Sequence, residues 1–456
     1  VVAPVVVPAV VFPSLLLFLS PFPTTTQPTT PYTSLFVLRL RGNKLRMFSP
    51  RIPTATATPC FALLADLDLS DNKLTSVPAS LFTACPNLTH VSFARNEIRD
   101  LPSEKRQGNT RPRGDPAGDN AASAASNTTT WPTNLVSLDI SHNRLTQLPA
   151  SMGSAAHSLT YLDVSRNAIR SVPASMFEPK RERLFSSLRT FLLQHNALSG
   201  DSALPPVLPV ALSESCRRLD LSHNGLTALP SDIGSMQALR ELFVNHNELA
   251  SFPSGVGSAH AGRGEGEEIM LPNVTSLRLE NNRLSVLPPR FGKFVSLSTR
   301  LQHLSLQNNR LVALPEMVAR PRPQRGDARG DAAFVAGLLT LDASHNRVVQ
   351  LPRSIGEAVG GSLLQLRLAH NRIESLPVSS FARLRKLQDL TLHGNPLLST
   401  ELRAVVSSGS YTPPLARQVA NVVRKIFDAI KDNWGEVDTR VHTAVTKLRR
   451  NLAKKG

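Results

Sequence analysis

The stretch LDLSHNGLTALP, residues 219–230, alternates like a short β-strand over its first four residues. Leu219 and Leu221 would lie on one face of such a strand, with Asp220 and Ser222 on the other. Asn224 follows at a position where strand alternation does not require an asparagine. A second group of leucines comes after it. Nearly the same phrase recurs along the whole chain, so the stretch is one unit of a repeat.

An asparagine marks the register of this repeat at thirteen places. Each has an apolar residue eight positions earlier, and nearly every one also has apolar residues five and three positions earlier and two positions later. The unit is about 24 residues long, with insertions. The asparagines are Asn43, Asn72, Asn96, Asn143, Asn167, Asn196, Asn224, Asn247, Asn282, Asn309, Asn346, Asn371 and Asn395.

The shared pattern LxxLxLxxNxLxxLP resembles the leucine-rich repeat family, over residues 35 to about 400. The phrases LPSDIGSMQAL (229–239) and LPPRFGKFVSL (287–297) resemble intracellular Ras-group members, whereas VPASLFTACPNL (77–88) resembles a longer form common outside cells. The resemblance implies an α/β solenoid, with a curved parallel sheet on its concave face and 3₁₀, α and loop segments on its convex face. It also implies that the asparagines from Asn72 onward form a structural ladder with the backbone of their turns.

The sequence predicts three regions. Residues 1–34 are a low-complexity apolar and Thr/Pro-rich segment that we expect to be disordered. Residues 35–398 form a solenoid of thirteen repeats, with solvated loop insertions near 103–133, 254–272 and 316–336. Residues 399–456 form a helical cap and a basic amphipathic tail, which could contact an anionic membrane surface.

We expect the side chains four and two positions before each asparagine to face outward. Those four positions before it define a candidate binding surface, because solenoids usually bind partners on the concave face. Several are aspartates, interrupted by apolar residues that we expect to be exposed and to anchor a partner. We predict a protein partner with a basic segment; the alternative is that the aspartates belong to the repeat consensus and are simply solvated. The candidates are Asp68, Asp139, Asp163, Leu192, Asp220, Phe243, Arg278, Asp342 and Arg367.

A histidine immediately precedes the asparagine in six repeats. Histidines on neighbouring strands could approach one another, which raises a metal site or a pH switch as hypotheses. However, SHN is a common form of this turn, and no cysteine or carboxylate completes a ligand set, so we predict no metal or cofactor. The residues are His142, His195, His223, His246, His345 and His370.

The motifs of common enzymes do not occur in the sequence, which lacks GxxxxGK[ST], HExxH and GxSxG. We therefore predict a non-enzymatic scaffold or adaptor, possessing no small-molecule substrate, in small-GTPase or related signalling. The net charge of +17 is dispersed, which argues against nucleic-acid binding. The three cysteines form no paired caps, which favours the cytoplasm. The alternatives are a secreted or cell-surface recognition or adhesion protein, or a targeting subunit of a separate enzyme.

Overall fold

A computed structural model of the protein gives two compact units, Val1–Ala197 and Leu198–Gly456. The predicted segments 1–34 and 399–456 and the centres of the three insertions lie outside the residues that the structure describes. The described residues are 35–48, 61–78, 80–102, 131–155, 157–177, 185–253, 271–318, 337–381 and 383–396.

Thirteen short parallel strands follow one another in chain order, so the predicted leucine-rich repeat solenoid is confirmed as the fold class. Each strand has three residues, and each begins six positions before a register asparagine. Strands β1–β6 belong to the first unit and β7–β13 to the second. In order, the strands are Val37–Arg39, Asp66–Asp68, His90–Ser92, Ser137–Asp139, Tyr161–Asp163, Thr190–Leu192, Arg218–Asp220, Glu241–Phe243, Ser276–Arg278, His303–Ser305, Thr340–Asp342, Gln365–Arg367 and Asp389–Thr391.

The strands pair in register, repeat by repeat. Leu138 in β4 pairs with Leu162 in β5, for example, and both side chains are fully buried. The two residues that flank each buried middle residue point to the other side of the sheet, because side chains alternate along a strand. We call that side the open face. It carries the side chains six and four positions before each register asparagine.

Leucines from every part of the repeat fill the core. Leu64, Leu67, Leu69 and Leu74 belong to one unit of the pattern, and their exposed fractions are 0–1%. Burying one leucine side chain contributes roughly 1.5–3 kcal/mol. A single repeat has no second layer to cover these leucines, so they become buried only when neighbouring repeats stack.

The segments that return from one strand to the next contain short helices, as the resemblance implied. The α-helices are Ser80–Ala84, Leu208–Leu212, Pro289–Leu297, Ile355–Val359 and Val378–Phe381. The 3₁₀ helices are Ala150–Ala155, Ala174–Met176 and Ser231–Ser235. Of the helices in the described ranges, none is long and apolar enough to cross a membrane.

The glycine of the IG and FG phrases permits close contact between successive repeats. A Cβ atom built on Gly356 would lie 1.7 Å from the carbonyl oxygen of Ser380, and one built on Gly292 would lie 2.0 Å from that of Glu316. Because those carbonyls belong to the backbone of the following repeat, a side chain at either glycine would force the repeats apart. The glycine is therefore required by packing between repeats.

Candidate functional site

The register asparagine joins two successive repeats through its side chain. Asn247 donates from Nδ2 to the carbonyl of Val244 in its own repeat and to that of Leu221 in the preceding repeat, each at 3.0 Å. Its Oδ1 accepts the main-chain N–H of Leu226, also at 3.0 Å. The side chain is 8% exposed, so these bonds satisfy backbone groups that water does not reach.

The acceptor half of this arrangement recurs in the twelve asparagines from Asn72 to Asn395. Each accepts a main-chain N–H two positions past the asparagine of the preceding repeat, at 2.9–3.2 Å. Asn43, in the first described repeat, is exposed, and its one side-chain hydrogen bond among the described residues is a donation to the carbonyl of Arg41 within its own turn, at 3.3 Å. The hydrogen bonds of the twelve are directed at backbone groups, which gives these side chains a role in the scaffold.

The residue before each asparagine adopts a left-handed backbone, which was not predicted from the sequence. Its φ lies between 53° and 75° in all thirteen repeats. Glycine, asparagine, aspartate and histidine tolerate this conformation better than most residues, which explains why histidine recurs there. The residues are Gly42, Asp71, Arg95, His142, Arg166, His195, His223, His246, Asn281, Asn308, His345, His370 and Gly394.

Some of the predicted histidine neighbours do meet. The rings of His223 and His246 stack with their centroids 4.1 Å apart, and those of His345 and His370 stack at 4.5 Å. The side chain of His195 lies against Arg166, with 3.4 Å between Nε2 and a guanidinium nitrogen. Within the described ranges, no group of three or more histidine, cysteine, aspartate or glutamate side chains is placed to hold a metal ion.

His142 lies among cations. Burial lowers its pKa from the ordinary value, and the positive charges of Arg166 and Arg95 lower it further. The carboxylates of Asp163 and Asp139 act in the opposite direction and offset only part of the effect. The neutral imidazole is therefore the form that the folded protein favours.

The aspartates of the LDxS strands are held by their own turns. Oδ1 of Asp68 accepts both the main-chain N–H of Ser70, at 2.9 Å, and its hydroxyl, at 2.6 Å. The aspartate oxygen accepts the main-chain N–H of the serine two positions later in the other four strands of this type as well, at 2.9–3.0 Å. The serines are buried, which corrects the expectation that residues two positions before the asparagine face outward. These serines are Ser70, Ser141, Ser165, Ser222 and Ser344.

The open face of the first unit is acidic. Its strand positions carry the aspartates Asp66, Asp68, Asp139 and Asp163 against a single arginine, Arg39. That arginine already pairs with Asp66, at 3.3 Å. The remaining aspartates, Asp68, Asp139 and Asp163, are half-buried, and the described strand positions of this face carry no second arginine or lysine.

Asp139 and Asp163 are the centre of this acidic face, because the two residues are register partners on adjacent strands. Burial raises the pKa of Asp163 above its ordinary value, and the charge of Asp139 adds to the increase. Hydrogen bonds from Ser165 and from the hydroxyl of Tyr161, the latter at 3.3 Å, oppose it. A cation placed over this pair would relieve the repulsion between the two carboxylates.

Neither of the two predicted apolar anchors is fully exposed. Leu192 is half-buried. Phe243 is only 9% exposed, so the expectation of an exposed ring is wrong at this position. The reason is that the guanidinium groups of Arg218 and Arg278 cover the ring, with their central carbons 5.0 and 4.8 Å from its centroid. Asp220, expected to be solvated, is also buried, at 7% exposure.

Positions six before the asparagine also lie on the open face, and they were not among the predicted binding residues. Arg218 pairs with Glu241 on the next strand, at 3.1 Å, and both are such positions. Arg367, a predicted binding residue, lies 3.9 Å from Asp342 and 3.5 Å from Asp389. The signal that could have revealed these pairs is the register itself, since residues at the same repeat position become neighbours across strands.

Family models match three segments of the chain. The model described as "Leucine rich repeat" matches residues 133–198 and 336–397, and the one described as "Leucine Rich Repeat" matches residues 215–236. Together these segments contain strands β4–β7 and β11–β13, with their asparagines and buried leucines. They are leucine-rich repeats. The models describe such repeats in general and do not support the narrower resemblance to the Ras-group type.

Comparable solenoids occur in proteins of different kinds. Podocan from Mus musculus is 27% identical over 390 residues, which cover 79% of this chain and 55% of podocan. The leucine-rich repeat protein LIC12759 of Leptospira interrogans has a TM-score of 0.51 at 24% identity, with 82% of each chain covered. The PEPR1–AtPEP1 structure has a TM-score of 0.52 at 25% identity, covering 80% of this chain and 42% of that one. The chain thus spans about half the length of podocan and less than half of the PEPR1 chain.

Proposed function

We propose that this protein is a non-enzymatic binding module whose first unit holds a basic segment of a protein partner on its open face. The observation that carries the proposal is the juxtaposition of Asp139 and Asp163, with Asp68 in the same unit and Arg39 the only arginine or lysine at the described strand positions of that face. Strand ends of a solenoid place such side chains at fixed spacing on a rigid surface, which suits recognition of an extended peptide.

Two further points support a partner that is a peptide or protein. The PEPR1 structure, which shares the fold, is described with AtPEP1, so a related solenoid is known in a complex. In the chain itself, one oxygen of each LDxS aspartate accepts from its serine, whereas the second carboxylate oxygen of Asp68 and of Asp139 accepts no hydrogen bond from any residue that the structure describes. That oxygen remains available to a lysine or arginine from a partner.

The test uses the full chain and a synthetic probe, an extended peptide of alternating lysine and serine, with a glutamine-for-lysine peptide as its neutral counterpart. The double variant Asp139→Asn/Asp163→Asn is expected to weaken binding of the lysine peptide about three- to tenfold, because two charge pairs are lost. Binding should also weaken as salt increases.

The matched control is Asp342→Asn, which removes one aspartate from the same repeat position in the second unit. Asp342 already has Arg367 at 3.9 Å, so this variant is expected to change lysine-peptide binding less than twofold. Equal losses in both variants, or equal binding of the glutamine peptide, would show that the acidic face of the first unit is not the binding surface.

The location of the protein is a separate part of the proposal. The similarity to podocan favours the secreted or cell-surface alternative, and the predicted cytoplasmic location is not supported. Glycosylation distinguishes the two. Asn87 and Asn273 occur in NxT sequences, but their side-chain amides donate to main-chain carbonyls of the preceding repeat at 2.7 and 2.6 Å.

We therefore expect an N-linked glycan at Asn127, in the sequence NTT, and unmodified amides at Asn87 and Asn273 in protein from native cells. Mass spectrometry before and after glycosidase treatment measures occupancy at each position. Recovery of unglycosylated protein from the cytosolic fraction alone would contradict this location.

A further inference from the structure

Phe243 lies between two arginines of the flanking strands of the second unit. Arg218 belongs to β7, Phe243 to β8 and Arg278 to β9, and the two guanidinium carbons are 5.0 and 4.8 Å from the ring centroid. A guanidinium that stacks on an aromatic ring still exposes the N–H groups at its edge. The ring thus supports both cations without using their hydrogen-bonding capacity.

The arginines of the open face differ in whether a carboxylate neutralises them. Arg39 pairs with Asp66 at 3.3 Å, Arg218 with Glu241 at 3.1 Å, and Arg367 with both Asp342 and Asp389. Arg278, by contrast, forms no ion pair with any residue that the structure describes. Its side chain is exposed.

The surroundings of Arg278 explain this difference. Its register partner on the next strand is Ser305, and the other residue of its own strand on the open face is Ser276. On the preceding strand its partner is Phe243. Asp220, one strand further, is 7% exposed, and its Oδ1 accepts the main-chain N–H of Ser222 at 3.0 Å. Arg278 is therefore a positioned cation whose neighbours in register are a serine and an aromatic ring.

We infer that Arg278 binds a carboxylate side chain of an acidic segment in a protein partner. The guanidinium matches a carboxylate with two parallel N–H···O bonds, and such charge-assisted pairs are about twice as strong as neutral hydrogen bonds. A peptide that crosses the strands presents such a carboxylate to Arg278, while Arg218 stays paired with Glu241.

This site goes beyond the proposed function, which concerns a basic segment on the first unit. It assigns the opposite charge to the second unit's ligand, and the two sites use different residues. The variant Asp139→Asn/Asp163→Asn should therefore leave the acidic ligand's affinity unchanged, so failure of one proposal is distinguishable from failure of the other.

The probe is a fluorescein-labelled nonapeptide in which glutamate alternates with serine, and its counterpart carries glutamine in place of glutamate. Fluorescence polarisation with the full chain is expected to show binding of the glutamate peptide only. Arg278→Gln should weaken that binding about tenfold, the usual order for loss of one hydrogen bond to a charged group. Arg278→Lys, which keeps the charge but not the planar fork, should give an intermediate loss.

The matched control is Arg367→Gln, which removes the same charge from the same position of a repeat where two carboxylates already pair with the arginine. It should change the affinity less than about twofold. Thermal unfolding of each variant, followed by circular dichroism, verifies that the fold is retained. Equal losses in the two variants, or equal binding of the glutamine peptide, would overturn the inference.

A third ligand distinguishes a protein partner from a sulfated polysaccharide. A heparin-derived hexasaccharide is titrated against the wild type and Arg278→Gln under the same conditions. Loss of hexasaccharide binding in the variant, with no binding of the glutamate peptide up to about 1 mM, would overturn the assignment to an acidic protein segment. Binding of the glutamate peptide that depends on Arg278 would support it.

Discussion

The side chain of Asn247 accepts the main-chain N–H of Leu226, so one repeat supplies the hydrogen-bond partner that the preceding repeat lacks. The same side chain donates to carbonyls of both repeats. A leucine at this position would bury more apolar surface but would leave the main-chain N–H of Leu226 unpaired. The carbonyls of Leu221 and Val244 would each lose one of two asparagine donors, keeping those from Asn224 and Asn282. The preference for asparagine follows from that difference.

Asn247→Ala should therefore destabilise the solenoid strongly. The buried N–H of Leu226 left unpaired costs about 1–3 kcal/mol, so the free energy of unfolding should fall by about that amount. Urea denaturation measures the change. The control is Asn43→Ala, since Asn43 is exposed and has one 3.3 Å bond within its own turn. If the two variants lose similar stability, the bonds between repeats do not account for the asparagine.

Contact between successive repeats through glycine gives a second prediction. A Cβ at position 356 would meet the backbone oxygen of Ser380, and the backbone cannot move away as a flexible side chain could. Gly356→Ala should lower the free energy of unfolding by about 1–3 kcal/mol, as expected for overpacking.

Gly361→Ala is the control for this variant. It adds the same methyl group five residues later, where nothing lies within 4 Å of the added atom. Its unfolding midpoint in urea should equal that of the wild type or exceed it slightly, because alanine reduces the entropy of the unfolded chain. A loss of stability at position 361 equal to that at 356 would contradict the packing explanation.

The repeat and its strands could be predicted from the sequence because the apolar spacing is local and recurs thirteen times. The buried middle leucine of each strand follows directly from that spacing, as Leu138 and Leu162 show. A pattern repeated this often leaves no other register that buries the same residues. The fold class could therefore be predicted from the sequence alone.

The exposure of individual open-face residues could not be predicted from the sequence in the same way. Phe243 looked exposed because its position points away from the core, yet Arg218 and Arg278 cover it. These three residues are far apart in sequence. The repeat pattern does not specify which partners long, flexible side chains contact. The left-handed backbone before each asparagine was not predicted for another reason. The recurring histidines were considered as a metal site or a pH switch, and not as residues that tolerate a positive φ angle.

Replacing a left-handed histidine tests whether the backbone selects it. His345 has a φ of 53°, which a β-branched residue tolerates poorly. His345→Val should cost about 1–2 kcal/mol of stability, whereas His345→Asn should be nearly neutral. Both variants remove the ring stacked on His370, so the difference between them isolates the backbone effect. Equal unfolding free energies would show that the stacked rings, and not the turn, determine the residue.

The cations beside His142 give a prediction for its titration. Arg166→Asn, which suits the left-handed backbone at that position, removes one of the charges that lower the pKa of His142. The pKa of His142 should therefore rise toward its ordinary value near 6.5, as followed by NMR of the imidazole C–H signals. Arg170→Asn is the control, because Arg170 is not among the groups that shift this histidine. An unchanged pKa in Arg166→Asn would contradict the electrostatic explanation.

Stability should depend on that histidine with a definite sign. A histidine whose pKa is lowered by folding binds its proton more weakly in the folded state than in the unfolded one. Its stabilising contribution is therefore complete above about pH 6.5 and decreases as the pH falls through that value toward the lower folded pKa. His142→Asn should have a smaller difference in unfolding free energy between neutral and mildly acidic solution than the wild type.

Asp163 should show the opposite dependence. Because folding raises its pKa, the ionised carboxylate is less favourable in the folded protein than in the unfolded chain. This penalty is absent at a pH well below the ordinary value of 3.8 and develops as the pH rises through the folded pKa. Asp163→Asn removes the penalty, and its amide oxygen can still accept the main-chain N–H of Ser165.

The variant should therefore match the wild type in melting temperature near pH 3 and exceed it by a few degrees near pH 7. Thermal unfolding across that pH range measures the difference. Asp342→Asn is the comparison, because Asp342 accepts from its serine in the same way but has Arg367 at 3.9 Å, so loss of its charge should not raise the melting temperature at neutral pH. A constant offset between Asp163→Asn and the wild type at all pH values would show that the carboxylate's ionisation carries no penalty. The acidic face would then have no intrinsic repulsion for a cationic partner to relieve.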